Sequence, residues 1–246
     1  MKKSMITYEE SFKLNDSVVL AYSSIVPDWL ALKDEVLKDF IYEDFFVKAE
    51  YDLANIEDAL KKKAKREFHT YQKIINNNLN YIPSEKEEWI AEHEVKIESA
   101  IHDYLIVSTT HYYCLGAVRG TASDYHVTEI TYRIFDVRKK IKVNLYDVVN
   151  PSINWNQLIR SGTDRTLFRT GRFKGVNIKV DYNKDTTVEK IPEPPSFYFN
   201  KEKIYFLYPA LDLIDSERCA VLEIFKNFND MKSYFSMEFK KRMGIE

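Results

Sequence analysis

The spacing of hydrophobic residues along the sequence changes at Trp89, from three or four residues to two. This change limits the folds that the chain can adopt. Before it, Asp28–Phe46 and Leu53–Asn77 carry apolar residues at spacings of three and four, which predicts two amphipathic helices. From Trp89 to Ile101, apolar and polar residues alternate, as in a half-buried antiparallel strand. Helices that are segregated from a run of strands indicate an α+β protein.

Further β-prone segments lie on both sides of this change. An opening hairpin or one long strand is predicted within residues 6–26, and a final amphipathic helix at Asp230–Met243. Strands are predicted at Tyr104–Tyr113, Val127–Phe135, Ile141–Leu145, Val176–Tyr182 and Cys219–Phe225, with a short helix at Asn154–Ser161. The fold class that we predict is α+β: an antiparallel β-meander sheet with two N-terminal helices and a C-terminal helix packed on it.

The stretch Pro195–Pro209 is the clearest local signal in the second half of the chain. Two aromatic, β-prone runs, Phe197–Phe199 and Ile204–Tyr208, flank the polar tetrapeptide Asn200–Lys203. This layout is typical of a tight hairpin. We expect it to be a central sheet element, with the two phenylalanines of the first run on one face and the intervening tyrosine on the other.

Composition narrows the class of protein. With 246 residues, we predict a single domain, 1–246, in which 1–85 form a strand and helical part and 86–246 form a sheet-rich part. Six glycines argue against a glycine-rich nucleotide-binding design, and a net charge of −2 gives no reason to expect nucleic acid as a partner. No apolar run is long enough for a transmembrane segment. The expected location is extracytoplasmic if a signal peptide was removed, and cytoplasmic otherwise.

Two cysteines, Cys114 and Cys219, lie in apolar, strand-like contexts. Two buried thiols are the simplest interpretation, and a disulfide between them stays open as an alternative in an oxidising compartment. Neither cysteine has a second cysteine or a histidine at ligand spacing, so no metal site is predicted. No cofactor is predicted either.

Three segments and a closing strand, in order, resemble a known family. They are the glycine turn Leu115–Gly120, the strand pair Tyr132–Val148, the aromatic hairpin Ser196–Ala210 and the strand Ala220–Ile224. The sequence thereby resembles the bacterial extracytoplasmic domain of uncharacterised function found in the lysozyme-sensing anti-sigma-V factor and next to peptidoglycan deacetylases. The match covers roughly residues 88–225.

This resemblance implies a binding or sensing domain of the bacterial cell envelope, with no defined catalytic site. The chain departs from the family pattern at Val118, where the family has a histidine, and after Pro209, where the family has a Tyr-Glu pair. The implied partner is a protein, such as a cell-wall hydrolase or a toxin.

Basic and aromatic residues are interleaved in residues 160–179, the least regular part of the sequence. Arginine and aromatic side chains dominate interface hot spots, and loops carry function more often than packed strands do. We therefore predict a partner-binding surface in this segment and at the glycine turn. Its candidate residues are Arg165, Phe168, Arg169, Arg172, Phe173, Lys174, Arg119, Asp124 and His126.

Other titratable residues support weaker hypotheses. His93, His102 and His111 recur nine residues apart, but without a spacing typical of metal ligands, so we interpret them as ordinary strand histidines. Asp124, with His126 and Glu129, is the candidate for general acid–base chemistry on a glycan or peptidoglycan. The basic run Lys61–Arg66 is interpreted as a solvated helix face.

Three functions remain open from the sequence. The first is a non-enzymatic envelope domain that recognises a protein, and the second is an immunity or inhibitor protein that neutralises an antibacterial toxin in the cytoplasm or periplasm. The third is an enzyme that acts on a glycan or on peptidoglycan. The oligomeric state has no sequence signal.

Overall fold

The computed structural model describes most of the chain as two compact units. The first unit comprises Met1–Lys96 with Thr109–Val127, and the second comprises Ile97–Ser108 with Thr128–Glu246. The described residues are 4–28, 34–47, 50, 55–77, 86–115, 125–160, 166–170, 173–178, 191–209 and 221–245. The prediction of one domain divided near residue 86 stays a prediction.

The chain opens with the predicted hairpin, formed by β1 (Met5–Lys13) and β2 (Val18–Pro27). The two strands pair antiparallel, from Met5 opposite Pro27 to Lys13 opposite Val19. The Asn15 side chain fixes the turn, because its Oδ1 accepts hydrogen bonds of 2.8 Å from the backbone N–H groups of Ser17 and Val18.

Two helices follow this hairpin. Helix α1 (Glu35–Tyr42) begins after Asp34, whose carboxylate accepts bonds from the N–H groups of Val36 and Leu37. Helix α2 (Ile56–Asn77) buries one stripe of residues at helical spacing. The buried members are Ile56, Ala59, Leu60, Lys63, Ala64, Glu67, Tyr71 and Ile75. This stripe contains Lys63, so the interpretation of the whole basic run as solvated was wrong at that position.

Strand β3 (Glu87–Ile101) corrects the predicted topology, because it pairs with β2 in parallel, from Val18 opposite Glu87 to Ile25 opposite Glu94. The sheet is therefore mixed and not a purely antiparallel meander. The physical reason is the connection: α1 and α2 lie between the two strands, and parallel pairing needs such a long crossover.

The remaining strands of this sheet are β4 (Tyr104–Leu115), β5 (Tyr125–Asp136) and β6 (Ile141–Val143). The six strands lie in chain order, β1 to β6. Two residues, His102 and Asp103, form the turn between β3 and β4, and His102 adopts a left-handed φ of 49°.

A second sheet has five strands in the order β8-β7-β11-β10-β9, all antiparallel. They are β7 (Thr166–Thr170), β8 (Phe173–Ile178), β9 (Ser196–Phe199), β10 (Lys203–Pro209) and β11 (Val221–Asn227).

The aromatic hairpin β9–β10 is confirmed, but it is not a central sheet element as expected, because β9 is the last strand in the order of this described sheet. Its turn is fixed by Asn200, whose Oδ1 accepts bonds of 2.8 Å from the N–H groups of Glu202 and Lys203. Phe197 and Phe199 are buried, whereas Tyr198 is only partly buried on the other face. The face assignment made from the sequence is therefore confirmed.

Four short helices occupy the described parts of the second unit: α3 (Leu145–Val148), α4 (Trp155–Arg160), α5 (Phe228–Met231) and α6 (Met237–Met243). The last two replace the single terminal helix that the sequence predicted. The break occurs at Phe235, which bridges to Val149, and Ser236 then begins α6 as an N-cap.

None of the described helices combines the length and the apolar character that a membrane crossing requires.

The hydrophobic core of the second unit is rich in aromatic rings around Phe239. This side chain is fully buried, and its ring lies 5.0 Å from the rings of both Phe199 and Phe235, between centroids. It thereby connects α6 to the aromatic hairpin. Met237, two residues earlier on the same helix, is exposed.

We expect Phe239→Ala to lower the free energy of unfolding by about 3–5 kcal/mol, because it removes a buried ring and leaves a cavity. Met237→Ala is the matched control on the same helix and should change it by less than about 0.5 kcal/mol. Urea unfolding followed by tryptophan fluorescence measures both. Equal effects of the two variants would contradict this account of the core.

Candidate functional site

The predicted partner-binding residues fall in different parts of the chain. Four of them, Arg119, Asp124, Arg165 and Arg172, lie outside the described residues. Four others lie in one hairpin: Phe168 and Arg169 in β7, and Phe173 and Lys174 in β8. His126 is in β5, a strand of the other sheet. The structure therefore places the four described residues of the basic segment on one hairpin and His126 on a strand of the other sheet.

The hairpin β7–β8 lies at one end of the five-stranded sheet. Strand β7 pairs with β11, with Phe168 opposite Leu222, and with β8, with Phe168 opposite Val176. The register shifts between Phe168 and Thr170, so the ladder is irregular beside Arg169. Among the described strands, β8 has β7 as its one neighbour. This segment is thus an edge hairpin, where the sequence analysis foresaw an irregular loop and a single strand.

The most concentrated group of ionisable side chains in the described residues is a hydrogen-bonded chain of four in the first unit, of which three are buried and His111 is partly buried. Lys63 and Glu67 lie one turn apart on α2, His93 lies on the buried face of β3, and His111 lies on β4. We call these four residues the buried polar chain. The sequence analysis missed Lys63 and Glu67 as members of a site.

Short hydrogen bonds join its members in order. Nζ of Lys63 lies 2.5 Å from Oε1 of Glu67, and Oε2 of the same carboxylate lies 2.7 Å from Nε2 of His93. Nδ1 of His93 then lies 2.8 Å from Nδ1 of His111. Both Glu67 oxygens and both His93 ring nitrogens are therefore engaged.

The electrostatics keep Glu67 ionised. Burial alone would raise the pKa of Glu67, but the hydrogen bond from His93 and the positive charge of Lys63 outweigh it and lower this pKa to about 2. A buried lysine beside an ionised carboxylate is compensated, whereas either charge alone would be costly to bury.

The two histidines are held in the neutral form. Burial lowers the pKa of His93, against the opposing effect of Glu67. Burial, together with the proximity of His93 and Lys63, lowers the pKa of His111 to about 4. At neutral pH, the buried polar chain therefore carries one positive charge on Lys63 and one negative charge on Glu67.

The bond geometry fixes the position of each proton. An ionised carboxylate only accepts, so Nε2 of His93 carries the proton that it donates to Glu67. Nδ1 of a neutral His93 is then an acceptor, and Nδ1 of His111 carries the second proton. Every hydrogen bond within the buried polar chain is thus donated in the direction of Glu67. The Glu67 carboxylate is the one group of the four that only accepts.

Aromatic rings surround the buried polar chain and limit its contact with water. The Tyr22 and His93 ring centroids are 5.3 Å apart, and Phe45 stacks on His111 at 6.2 Å. Nζ of Lys63 lies 4.7 Å from the centroid of Phe45. Burial and the charge of Glu67 raise the pKa of Tyr22, so its hydroxyl stays protonated.

A second ion pair lies beside the buried polar chain. Arg66 donates from Nε to Oε1 of Glu50 at 2.6 Å, and Glu50 is buried. The hydroxyl of Ser24 donates to the Tyr22 oxygen at 2.6 Å. The charged groups around the histidines are therefore balanced by direct partners.

This arrangement is suited to holding the packing of α2 against the strands more than to catalysis. A general base at neutral pH needs a pKa near 7, and the pKa values of Glu67 and His111 lie well below that. Within the described ranges, no three His, Cys, Asp or Glu side chains are placed to hold a metal ion.

The spacing of the histidines was the sequence signal for this contact. His93 and His111 lie at equal distances of nine residues on either side of His102, and His102 is in the turn between β3 and β4. A hairpin folded at that point places the two outer histidines near each other on adjacent strands. The interpretation of ordinary strand histidines omitted this consequence.

The structure describes only some of the residues that were predicted for catalysis or for a disulfide. Asp124 and Cys219 lie outside the described residues, and Glu129 is exposed on β5. Cys114 is buried in β4, as the sequence analysis expected.

We expect acid to destabilise the protein through His111. Its pKa is about 4 in the folded protein and 6.5 for an unperturbed histidine in the unfolded chain, so the unfolded chain binds a proton first as the pH falls. The stabilisation is complete above pH 6.5 and is lost between there and pH 4. For His111 this corresponds to a loss of about 2 kcal/mol in the free energy of unfolding between pH 7.5 and pH 5.

Urea unfolding at the two pH values measures this loss. His111→Asn keeps a donor toward His93 but does not titrate, so its loss should be smaller by about 2 kcal/mol. His69→Asn, at an exposed position of α2, is the control and should keep the wild-type pH dependence. An unchanged pH dependence in His111→Asn would contradict the protonation scheme.

We expect Glu67→Gln to lower the free energy of unfolding by about 3–5 kcal/mol, because it leaves the buried Lys63 charge without its partner. Adding Lys63→Met removes that charge and should recover part of the loss. Glu57→Gln, exposed on the same helix, is the control and should cost less than about 1 kcal/mol. A loss below 1 kcal/mol for Glu67→Gln in denaturant titrations would show that the pair is not buried as described.

Comparison with solved structures shows the same fold in two bacterial proteins, both described as DUF3298 family members. The protein from Bacteroides fragilis NCTC 9343 has a TM-score of 0.69 at 15% identity, over 100% of this chain and 98% of its own. The protein from Pseudomonas aeruginosa PAO1 has a TM-score of 0.51 at 10% identity, over 97% of each chain. No protein-family model and no curated protein matches the sequence. The fold is therefore that of an uncharacterised bacterial domain family.

Proposed function

We propose that this protein is a non-enzymatic binding domain of the bacterial cell envelope, and that it recognises a protein partner through the edge hairpin β7–β8. The envelope assignment rests on the family resemblance of the sequence. The solved relatives are bacterial and share the fold, which agrees with that resemblance. The partner class that it implies is a cell-wall hydrolase or a toxin.

The position of the hairpin in the sheet carries this proposal. Four of the predicted contact residues lie on β7 and β8, and β8 ends the order of the described strands. An edge strand offers backbone N–H and C=O groups to an incoming strand, and its side chains add specificity. Because Arg169 and Lys174 are basic, the complementary partner surface is acidic.

The enzymatic alternative has less physical support in the described residues. Glu67 is the carboxyl group with the largest described departure in pKa, and the direction is downward, which makes it a weak base. Its oxygens are both engaged by neighbours.

The experiment is a crosslinking capture from envelope extracts, followed by affinity measurement with the purified captured protein. We expect Arg169→Glu combined with Lys174→Glu to weaken binding at least 30-fold, because charged hot-spot residues contribute about 2 kcal/mol or more. The matched control is Lys61→Glu combined with Lys65→Glu on the exposed face of α2, which should bind like the wild type.

Two results would reject the proposal. One is a captured protein whose affinity is the same for the hairpin variant and the wild type. The other is turnover of a peptidoglycan fragment that Asp124→Ala abolishes, since this would establish the enzymatic alternative.

A further inference from the structure

We propose that a second surface of this protein binds peripherally to an anionic lipid bilayer. The surface consists of the turn and strand Val137–Val143, Tyr146 at the start of α3, and the helix Met237–Met243. We call it the basic turn surface. It lies wholly in the second unit and does not depend on the hairpin β7–β8.

Direct ion pairs join its two segments into one surface. The Arg242 guanidinium donates to both carboxylate oxygens of Asp136, at the end of β5. Nζ of Lys139 lies 2.5 Å from Oε1 of Glu238. Both pairs line one cavity of about 210 Å³ between the turn and α6. The turn and α6 therefore form one surface.

The charge of this surface differs in sign from that of the whole chain. Segments 136–147 and 236–245, together with Asp103 and Glu193, which contact Arg242 and Tyr146, contain seven basic and five acidic residues, a net charge of +2, whereas the chain as a whole carries −2. Three of the five acids, Asp103, Asp136 and Glu238, are paired with Arg242 or Lys139. A concentration of positive charge on an otherwise acidic protein indicates an anionic ligand.

The turn holds its basic residues in a fixed conformation. Oδ1 of Asp136 accepts from the N–H of Lys139 at 2.9 Å, and its carbonyl accepts from the N–H of Lys140 at 2.7 Å. Lys140 adopts a left-handed φ of 58°, which reverses the chain. Arg138 and Lys140 are exposed on this turn, and Lys142 is exposed on β6. The charges are therefore presented with little ordering cost on binding.

Apolar side chains are exposed among these charges. Val137 and Ile141 are each 49% exposed, Tyr146 is 41% exposed, and Met237 is 77% exposed. Exposed aliphatic and aromatic groups beside lysines match the interfacial region of a bilayer, where apolar atoms enter the headgroup layer and cations contact lipid phosphates. A soluble polyanion would use the charges but not the apolar groups. The combination therefore favours a lipid surface.

The experiment measures co-sedimentation of the full chain with vesicles of 30% phosphatidylglycerol in phosphatidylcholine. We expect binding that falls as salt rises and is absent with pure phosphatidylcholine vesicles. Each basic residue near such a surface contributes about a five-fold factor in affinity. Arg138→Gln combined with Lys142→Gln should therefore weaken binding about 25-fold.

Two further variants distinguish the possible ligands. Lys61→Gln combined with Lys65→Gln removes the same charge from α2 and should leave vesicle binding unchanged. Ile141→Ser combined with Met237→Ser keeps every charge and should weaken vesicle binding several-fold. Circular dichroism spectra and unfolding midpoints verify that each variant is folded.

Three results would overturn the proposal. The first is the absence of wild-type binding to the anionic vesicles at low salt. The second is an equal loss in the α2 control, which would mean that only overall charge matters. The third is tight binding to polyphosphate together with full vesicle binding by the Ile141→Ser and Met237→Ser variant, which would identify a soluble polyanion as the ligand.

Discussion

The turn at His102 and Asp103 determines which side chains meet in the buried polar chain. It folds β3 back onto β4, and each of these long strands contributes residues to both compact units. It also brings His93 to His111, since both lie nine residues from His102. The hydrogen bond between the two rings follows from this turn, whereas the Lys63–Glu67 ion pair is formed within α2 itself.

Charged residues have different roles in the buried polar chain and in the two proposed binding surfaces. Inside the first unit, Lys63 and Glu67 neutralise each other and the histidines stay neutral, so these groups stabilise the packing of α2. On the second unit, basic residues are exposed beside apolar ones. The first pattern is that of a structural ion pair, and the second is that of a contact surface.

Local patterns allowed much of the fold to be predicted. The alternation from Trp89 to Ile97 corresponds to alternate buried positions of β3, and the polar tetrapeptide at Asn200–Lys203 is the turn of the aromatic hairpin. These elements depend on neighbours in sequence. The parallel pairing of β2 with β3 depends on contacts across the two helices, which a two-residue period does not encode.

The candidate sites were harder to predict for a similar reason. Strand β7 was missed because a short segment rich in arginine and threonine has no clear alternation. Lys63 was interpreted as solvated because its burial depends on Glu67 and on a strand far away in sequence. Of the residues predicted for partner binding, the basic segment is brought together on one hairpin, whereas His126 is on another sheet.

The central claim is that the buried polar chain holds ordered protons and neutral histidines at physiological pH. Long-range ¹H–¹⁵N correlation spectra of the histidine side chains at pH 7 test it most directly. The account predicts that His93 is neutral with its proton on Nε2, and that His111 is neutral with its proton on Nδ1. An imidazolium signal from either residue, or the opposite tautomer at His93, would contradict it.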